Sequence, residues 1–146
     1  MRFPFTPVWA LALLCTFVHA EPVDSLITAS DLLKINQPAA PAISPDGRKI
    51  AYTVRSLEPQ PSGETVYRTH LWLASIDGDA APRELKSAGP DIRTPAWHPS
   101  GDRIVFARPE ADGRVRLWVL PVAGGEPYAL TPPLKDAANP QWSPDG

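Results

Sequence analysis

Serine, histidine and aspartate recur in three copies of one short phrase, and these residue types could form a catalytic triad. The copies are Pro41-Ala-Ile-Ser-Pro-Asp-Gly47, Pro95-Ala-Trp-His-Pro-Ser-Gly101 and Pro140-Gln-Trp-Ser-Pro-Asp-Gly146. A triad needs one serine, one base and one acid that converge from different loops. Here Ser44, His98 and Ser143 share one position of the phrase, and no G-x-S-x-G elbow is present. We therefore predict that these side chains cap turns, and we assign no catalytic residue.

The other residues that could bind a ligand also favour a structural interpretation. His70 and His98 lack metal-ligand spacing, so no metal site is predicted. Gly124-Gly125 precedes a proline and a short strand, which indicates a hairpin turn rather than a phosphate or cofactor loop. Trp72 and Trp118 could stack on a sugar, but their matching repeat positions favour core packing. Four arginines are expected to form a solvated face: Arg93, Arg108, Arg114 and Arg116.

Composition excludes several classes of partner and of fold. The chain has 14 basic and 16 acidic residues, without a basic stripe for nucleic acid or a polybasic membrane patch. Its 19 prolines and 9 glycines interrupt the sequence too often for long helices and suit many short strands.

The first 20 residues have the pattern of a signal peptide. Arg2 precedes the short apolar run 8–18, and Val18-His19-Ala20 places small residues at a cleavage site. We predict cleavage after Ala20 and export to the periplasm or beyond the cell. The run is too short for a stable membrane anchor, which needs about 20 residues. Cys15 lacks the small residues that precede a lipidated cysteine, so we predict no lipid anchor. It is the only cysteine and lies within the predicted signal peptide, so the mature chain is expected to contain no disulfide.

Residues 21–40 are predicted to form a lead-in with one short helix. Thr28 and Asp31 have the spacing of a capping box. Leu32, Leu33 and Ile35 would supply its apolar side.

Each repeat contains the pattern of four antiparallel strands. After the phrase, Ile50, Tyr52 and Val54 alternate with smaller residues, as half-buried strand residues do. The alternation returns at Ile104 and Phe106. Two Leu-Trp strands follow at residues 71–76 and 117–122, and each meets a glycine turn and a short closing strand. We predict one four-stranded unit per repeat.

The repeat length is typical of a β-propeller blade. Pro41 and Pro95 are 54 residues apart, and Pro95 and Pro140 are 45 apart. We predict an all-β chain with blade 1 at about 41–93, blade 2 at about 94–138 and the start of blade 3 at 139–146. The extra length of the first repeat is assigned to an exposed loop at 57–64. Ile43, Trp97 and Trp142 share one position, where a large apolar residue would pack between blades.

The blade motifs resemble Tol-system and peptidase propellers. The lead-in Ser30-Asp-Leu-Leu-Lys34, followed by the first phrase, resembles the start of exported prolyl oligopeptidase-family enzymes of the acylaminoacyl-peptidase or dipeptidyl-peptidase type. The resemblance covers residues 27–146. It implies a propeller that admits short peptides to a C-terminal α/β-hydrolase domain with a serine nucleophile. The catalytic region of that family has no match here, so no catalytic residue or cofactor is carried over.

A second interpretation is a non-catalytic periplasmic propeller that binds envelope proteins, as in the Tol system. That family carries a separate small domain ahead of its first blade. Here the first phrase starts only 20 residues after the predicted mature start at Glu21, which favours the peptidase.

The third phrase ends at Gly146, so the chain is expected to be a fragment of a larger protein. Two blades and the start of a third cannot close a ring, and an open array exposes blade faces and strand edges. We expect residues 21–146 alone to be poorly folded or oligomeric. Sedimentation and thermal unfolding test this, and a sharp, cooperative transition of a monomer would contradict it.

Overall fold

Two four-stranded antiparallel sheets follow one another along the chain. A computed structural model describes residues 27–135 and 137–146, so the predicted signal peptide lies outside the described residues. The strand orders are β1-β2-β3-β4 and β5-β6-β7-β8, which confirms the predicted unit per repeat. The strands are β1 (Gln37–Ile43), β2 (Lys49–Pro59), β3 (Thr65–Ser75), β4 (Arg83–Glu84), β5 (Arg93–Trp97), β6 (Arg103–Pro109), β7 (Val115–Pro121) and β8 (Tyr128–Ala129). Among the described residues, no helix has the length and apolarity to cross a membrane.

The lead-in contains the predicted short helix, α1 (Ala29–Leu33). Asp31 accepts hydrogen bonds from the Thr28 hydroxyl at 2.7 Å and the Thr28 backbone N–H at 3.0 Å. These bonds and the Lys34 ammonium lower the pKa of Asp31 to about 2. Leu32 and Leu33 are exposed, so the predicted apolar side of the helix is not covered by the described part of the chain.

The first strand begins earlier than its proline-rich sequence indicates. β1 starts at Gln37, which pairs with Arg55, whereas the sequence placed the first blade at Pro41. β1 lies at the edge of its sheet. Proline is tolerated on an edge strand, because its missing N–H can face away from the neighbour. The edge position therefore lets the strand include Pro38 and Pro41.

The three phrases form the same tight turn. The glycine N–H donates to the carbonyl three residues earlier, from Gly47 to Ser44 at 2.9 Å and from Gly101 to His98 at 2.9 Å. The third copy repeats this bond at 3.0 Å. Gly47 and Gly101 have φ of 71° and 73°, the left-handed region that favours glycine. The predicted turn chemistry is confirmed.

Each phrase is also preceded by a backbone irregularity that sequence patterns did not reveal. Ala40, Thr94 and Asn139 stand directly before the first proline of their phrase, and their φ values are 47°, 41° and 48°. The strand pairing shifts register at the first two of these positions, which marks a β-bulge in β1 and in β5. Thr94 is the most strained of the three, because a β-branched side chain crowds the backbone at positive φ.

Replacing Thr94 by glycine should raise the free energy of unfolding by about 1 kcal/mol. Glycine adopts this φ without a Cβ clash, and the change also removes a buried threonine hydroxyl that has no hydrogen-bond partner. Urea unfolding of the variant and the parent measures the difference. Ala40→Gly is the matched control and should gain less, because alanine is not β-branched. A destabilised Thr94→Gly variant would show that the hydroxyl or the methyl group is needed.

The extra length of the first repeat lies in its strands rather than in a loop. β2 runs to Pro59 and β3 starts at Thr65, so the prediction of an exposed loop at 57–64 is wrong at residues 57–59. Only the turn from Gln60 to Glu64 remains, closed by a 2.7 Å backbone bond. Glu110 and Arg114 close the equivalent turn of the second sheet in the same way. The β2–β3 hairpin is therefore longer than the β6–β7 hairpin, and both close with the same turn.

One apolar cluster joins the two sheets. Alternation divides the first sheet into a front face, with Ala51, Leu71 and Leu73, and a back face, with Ile50, Tyr52, Trp72 and Ala74. The front face and the 3₁₀ turn Lys86–Ala88 pack against the back face of the second sheet. Its largest buried residues are Ile104, Phe106 and Leu120. The back face of the first sheet is only partly buried.

Candidate functional site

The seam between the two sheets contains directional contacts as well as apolar packing. The Trp97 indole N–H donates to the Ala42 carbonyl at 2.9 Å, and the Arg108 guanidinium donates to the Ala88 carbonyl at 2.8 Å. The same guanidinium lies 4.1 Å from the centre of the Trp118 ring. The prediction that Trp97 packs between blades is confirmed. Its equivalents differ, since Ile43 is exposed and Trp142 is half-buried with its ring edge against His98.

The first phrase uses its serine as predicted, to fix a turn. Ser44 is buried, and its hydroxyl lies 2.6 Å from Asp46 Oδ1 while accepting the Lys49 N–H at 2.8 Å. The Ser44 hydroxyl and the Arg48 N–H hold the pKa of Asp46 below its usual value. In the third phrase, the Ser143 hydroxyl similarly lowers the pKa of Asp145.

The second phrase brings a histidine, a serine and an aspartate together, but in the wrong order for a triad. Ser100 lies between the other two side chains, 2.5 Å from His98 Nδ1 and in contact with Asp102 Oδ1. Asp102 thus binds the serine rather than the histidine, so it cannot orient a base as a triad acid does. The Ser100 hydroxyl and Arg103 lower the pKa of Asp102. The arrangement closes a turn.

His70 lies between two carboxylates that sequence patterns did not connect to it. Nε2 is 2.8 Å from Glu58 Oε1, and Nδ1 is 2.9 Å from Glu84 Oε1. Despite this proximity, Nε2 makes no hydrogen bond. The carboxylates occupy opposite ring nitrogens, so the three groups cannot share one metal ion. Within 27–135 and 137–146, no group of three His, Cys, Asp or Glu side chains could hold a metal.

The predicted solvated arginine face is wrong for two of its four members. Arg108 and Arg116 are half-buried beside Trp118, which itself packs against the cluster between the sheets. Trp118 thus has the predicted packing role. Arg93 and Arg114 are exposed. The alternation of residues along β6 and β7 could have predicted that these two arginines are half-buried, because they lie on the same face as Phe106.

The remaining candidates form no site with one another. Gly124-Gly125 is an exposed turn between β7 and β8, as predicted. Trp72 is half-buried on the back face of the first sheet. Nearby, an apolar groove of about 320 Å³ is lined by Pro38, Ala39, Pro41, Ile50, Tyr52 and Ala74. Tyr52 is the only residue with a polar side chain in the lining of this groove.

The chain is similar in sequence to one known peptidase and in structure to parts of two others. Over 125 residues, or 83% of its length, the chain is 28% identical to the uncharacterized peptidase YuxL of Bacillus subtilis (strain 168). The acylaminoacyl peptidase of Pyrococcus horikoshii superposes on 77% of the chain with a TM-score of 0.62 and 17% identity. The β-propeller domain of the Trilobed protease from Pyrococcus furiosus superposes on 77% with a TM-score of 0.60 and 18% identity. No protein-family model matches the chain.

The two sheets are β-propeller blades. The resemblance to the propellers of prolyl oligopeptidase-family peptidases is thereby confirmed. The chain spans 18% of the length of YuxL, and 17% and 33% of the two structures. β1 and β5 lie at one edge of their sheets, and β4 and β8 lie at the other. The seam described above is the junction of blades 1 and 2.

Proposed function

We propose that this chain is the first part of the propeller of an exported serine peptidase of the prolyl oligopeptidase family. The propeller would restrict access to a C-terminal α/β-hydrolase domain, so that short peptides reach the serine and folded proteins do not. The observation that carries the proposal is the 28% identity to a longer peptidase over 125 residues, 83% of the chain. No cofactor is needed, because the expected chemistry is acyl transfer through an activated serine.

The described part of the chain supports an access role rather than a catalytic one. The Ser, His and Asp side chains of the first two phrases are engaged in turns, and the triad order is absent from the second phrase. The two blades pack through a continuous apolar cluster. A rigid wall of this kind suits a size filter in front of a separate catalytic centre.

A fluorophosphonate probe tests the serine chemistry in the whole protein. We expect covalent labelling of one serine, prevented by alanine at that serine. The unlabelled protein should hydrolyse short peptides and leave a folded protein intact, and labelling should abolish the hydrolysis because the probe blocks the serine nucleophile. Absence of labelling in a folded, monodisperse sample would contradict the peptidase proposal. Equal cleavage of folded and unfolded substrates would contradict the access role alone.

The alternative function is a non-catalytic periplasmic propeller that binds envelope proteins. The partly buried back face of blade 1, with its apolar groove, is the observation that favours it, because binding modules need an accessible apolar surface. This alternative would be supported if the whole protein does not react with fluorophosphonate and binds envelope proteins in an affinity capture. We propose neither nucleic acid as a partner nor a membrane anchor in the mature protein.

Export is part of the proposal and has its own test. N-terminal sequencing of the protein recovered from the cell envelope or medium should begin at Glu21. A start at Met1 in the cytosolic fraction would contradict both the cleavage site and the location.

A further inference from the structure

Aspartate is followed directly by glycine at four places in the chain. These pairs are Asp46-Gly47, Asp77-Gly78, Asp112-Gly113 and Asp145-Gly146. In such a pair the glycine nitrogen can attack the preceding side-chain carboxyl, because glycine has no Cβ to hinder a close approach. The attack closes a five-membered succinimide ring. All four pairs have this local chemistry, so only their surroundings in the fold distinguish them.

In three of the pairs, a turn hydrogen bond holds the glycine nitrogen. The Gly47 N–H donates to the Ser44 carbonyl at 2.9 Å, and the Gly113 N–H donates to the Glu110 carbonyl at 2.9 Å. The Gly146 N–H makes the same kind of bond at 3.0 Å. The nitrogen must lose this proton when the ring closes. The turn bond therefore has to break before the attack.

Hydrogen bonds hold the carboxyl of these pairs as well. Asp46 Oδ1 lies 2.6 Å from the Ser44 hydroxyl and accepts the Arg48 N–H at 3.1 Å. Asp112 accepts the Arg114 N–H at 3.0 Å and the Arg114 Nε–H at 2.8 Å. These bonds hold the pKa of both carboxyls below its usual value. A carboxylate that is fixed in place and kept ionised is a poor electrophile.

The pair Asp77-Gly78 has neither restraint. It lies in the exposed bend between β3 and β4. Within residues 27–135 and 137–146, the Gly78 N–H donates no backbone hydrogen bond. Over the same ranges, the side-chain hydrogen bonds and ion pairs of aspartates do not include Asp77. The fold thus leaves both reacting groups of this pair available to each other.

The equivalent turn of blade 2 shows that the fold does not require this carboxyl. The Ile76 and Val122 N–H groups both donate, at 2.9 Å, to the residue that follows the phrase of their blade. The next residue is Asp77 in blade 1 and Ala123 in blade 2, and glycine follows in each case. Substitution of Asp77 should therefore leave the turn intact.

We propose that Asp77 is a modification site, which converts spontaneously to isoaspartate in the folded protein. The Gly78 nitrogen bonds to Asp77 Cγ and one Cγ–O bond breaks. The oxygen leaves as water, with the amide proton and one proton from solvent. Water then adds to the backbone carbonyl carbon of Asp77 and breaks its bond to the Gly78 nitrogen. The main chain now runs through Cγ, with one extra methylene in the turn that leads to β4.

Peptide mapping of the whole protein tests the proposal. After incubation at neutral pH and physiological temperature, mass spectrometry with electron-transfer fragmentation measures the isoaspartate fraction at each Asp-Gly pair. We expect Asp77 to convert about tenfold faster than Asp46 or Asp112, because those sites must first break their hydrogen bonds. If either of them converts as fast as Asp77 in the folded protein, the proposal fails.

Incubation in urea separates the effect of the fold from that of local sequence. In urea concentrated enough to unfold the protein, the turn bonds are lost, so the rates at Asp46, Asp77 and Asp112 should become similar. A lead of Asp77 that persists in urea would assign its reactivity to sequence alone and overturn the proposal.

One variant identifies which aspartate has reacted. Tryptic cleavage after Arg68 and Arg83 yields a peptide that contains both Asp77 and Asp79. Asp77→Glu keeps the charge but would need a six-membered ring, so its peptide should show no isomer on the same timescale. If the isomer persists in Asp77→Glu, it comes from Asp79 and the proposal is wrong.

Discussion

Phe106→Ala should lower the free energy of unfolding of the propeller by about 3–5 kcal/mol. Phe106 has no exposed surface and lies in the apolar cluster between blades 1 and 2. Removal of the ring loses its transfer free energy. It also leaves a cavity that two hydrogen-bonded sheets cannot collapse to fill. Urea unfolding of the whole protein, followed by tryptophan fluorescence, measures the loss.

Tyr52 provides the matched control, because it has the same register position in blade 1. It pairs with Trp72 as Phe106 pairs with Trp118, but it is only partly buried. Tyr52→Ala should cost about 1 kcal/mol, because the ring is only partly buried. A loss below about 1 kcal/mol for Phe106→Ala would show that the blades do not pack as described. Equal large losses for both variants in the whole protein would indicate that another sheet covers the back face of blade 1.

Trp97→Ala should destabilise the propeller by about 3–5 kcal/mol, through loss of packing and of the hydrogen bond across the seam. Trp97 is 8% exposed, and its indole N–H satisfies the Ala42 carbonyl of the preceding blade. Trp97→Phe keeps most of the apolar volume and removes the donor. Its expected cost is about 1–3 kcal/mol, since the carbonyl loses its partner.

Ile43 tests whether the loss of stability in Trp97→Ala comes from the position in the repeat or from the contacts between the two blades. It occupies the position of Trp97 in blade 1 but is 63% exposed. Ile43→Ala should change the free energy of unfolding by at most about 0.5 kcal/mol, as exposed substitutions do. Denaturant midpoints of the three variants give the comparison. If Trp97→Phe is as stable as the parent, the indole hydrogen bond contributes nothing and the apolar contact alone joins the blades.

Local residue chemistry was enough to predict the turns and the strands between them. Proline, aspartate and glycine at fixed offsets specify the turn at Gly47, whose φ requires glycine. Alternation at Ile50, Tyr52 and Val54 specifies the strand that follows. The candidate triad could be rejected for the same reason, since a repeated position implies a repeated structural role.

Long-range pairing decided what local patterns could not. The predicted loop at 57–64 is strand at 57–59, because all eleven residues of β2 pair in register with β3 and this pairing overrides the proline at position 59. The strained Thr94 follows from a bulge that depends on the partner strand. Arg108 left the predicted solvated face because Ala88 and Trp118, 20 and 10 residues away along the chain, meet it at the seam.

The sequence by itself determined the repeat, the turn in each phrase and the four-stranded blade, because each depends on backbone preferences of neighbouring residues. Only the tertiary structure decided which blade faces are buried and which charged groups meet. Tyr52 and Phe106 have the same pattern but different burial, and His70 reaches Glu58 and Glu84 only when three strands align. Burial and ion pairing depend on partners that are distant in sequence, and no local pattern encodes them.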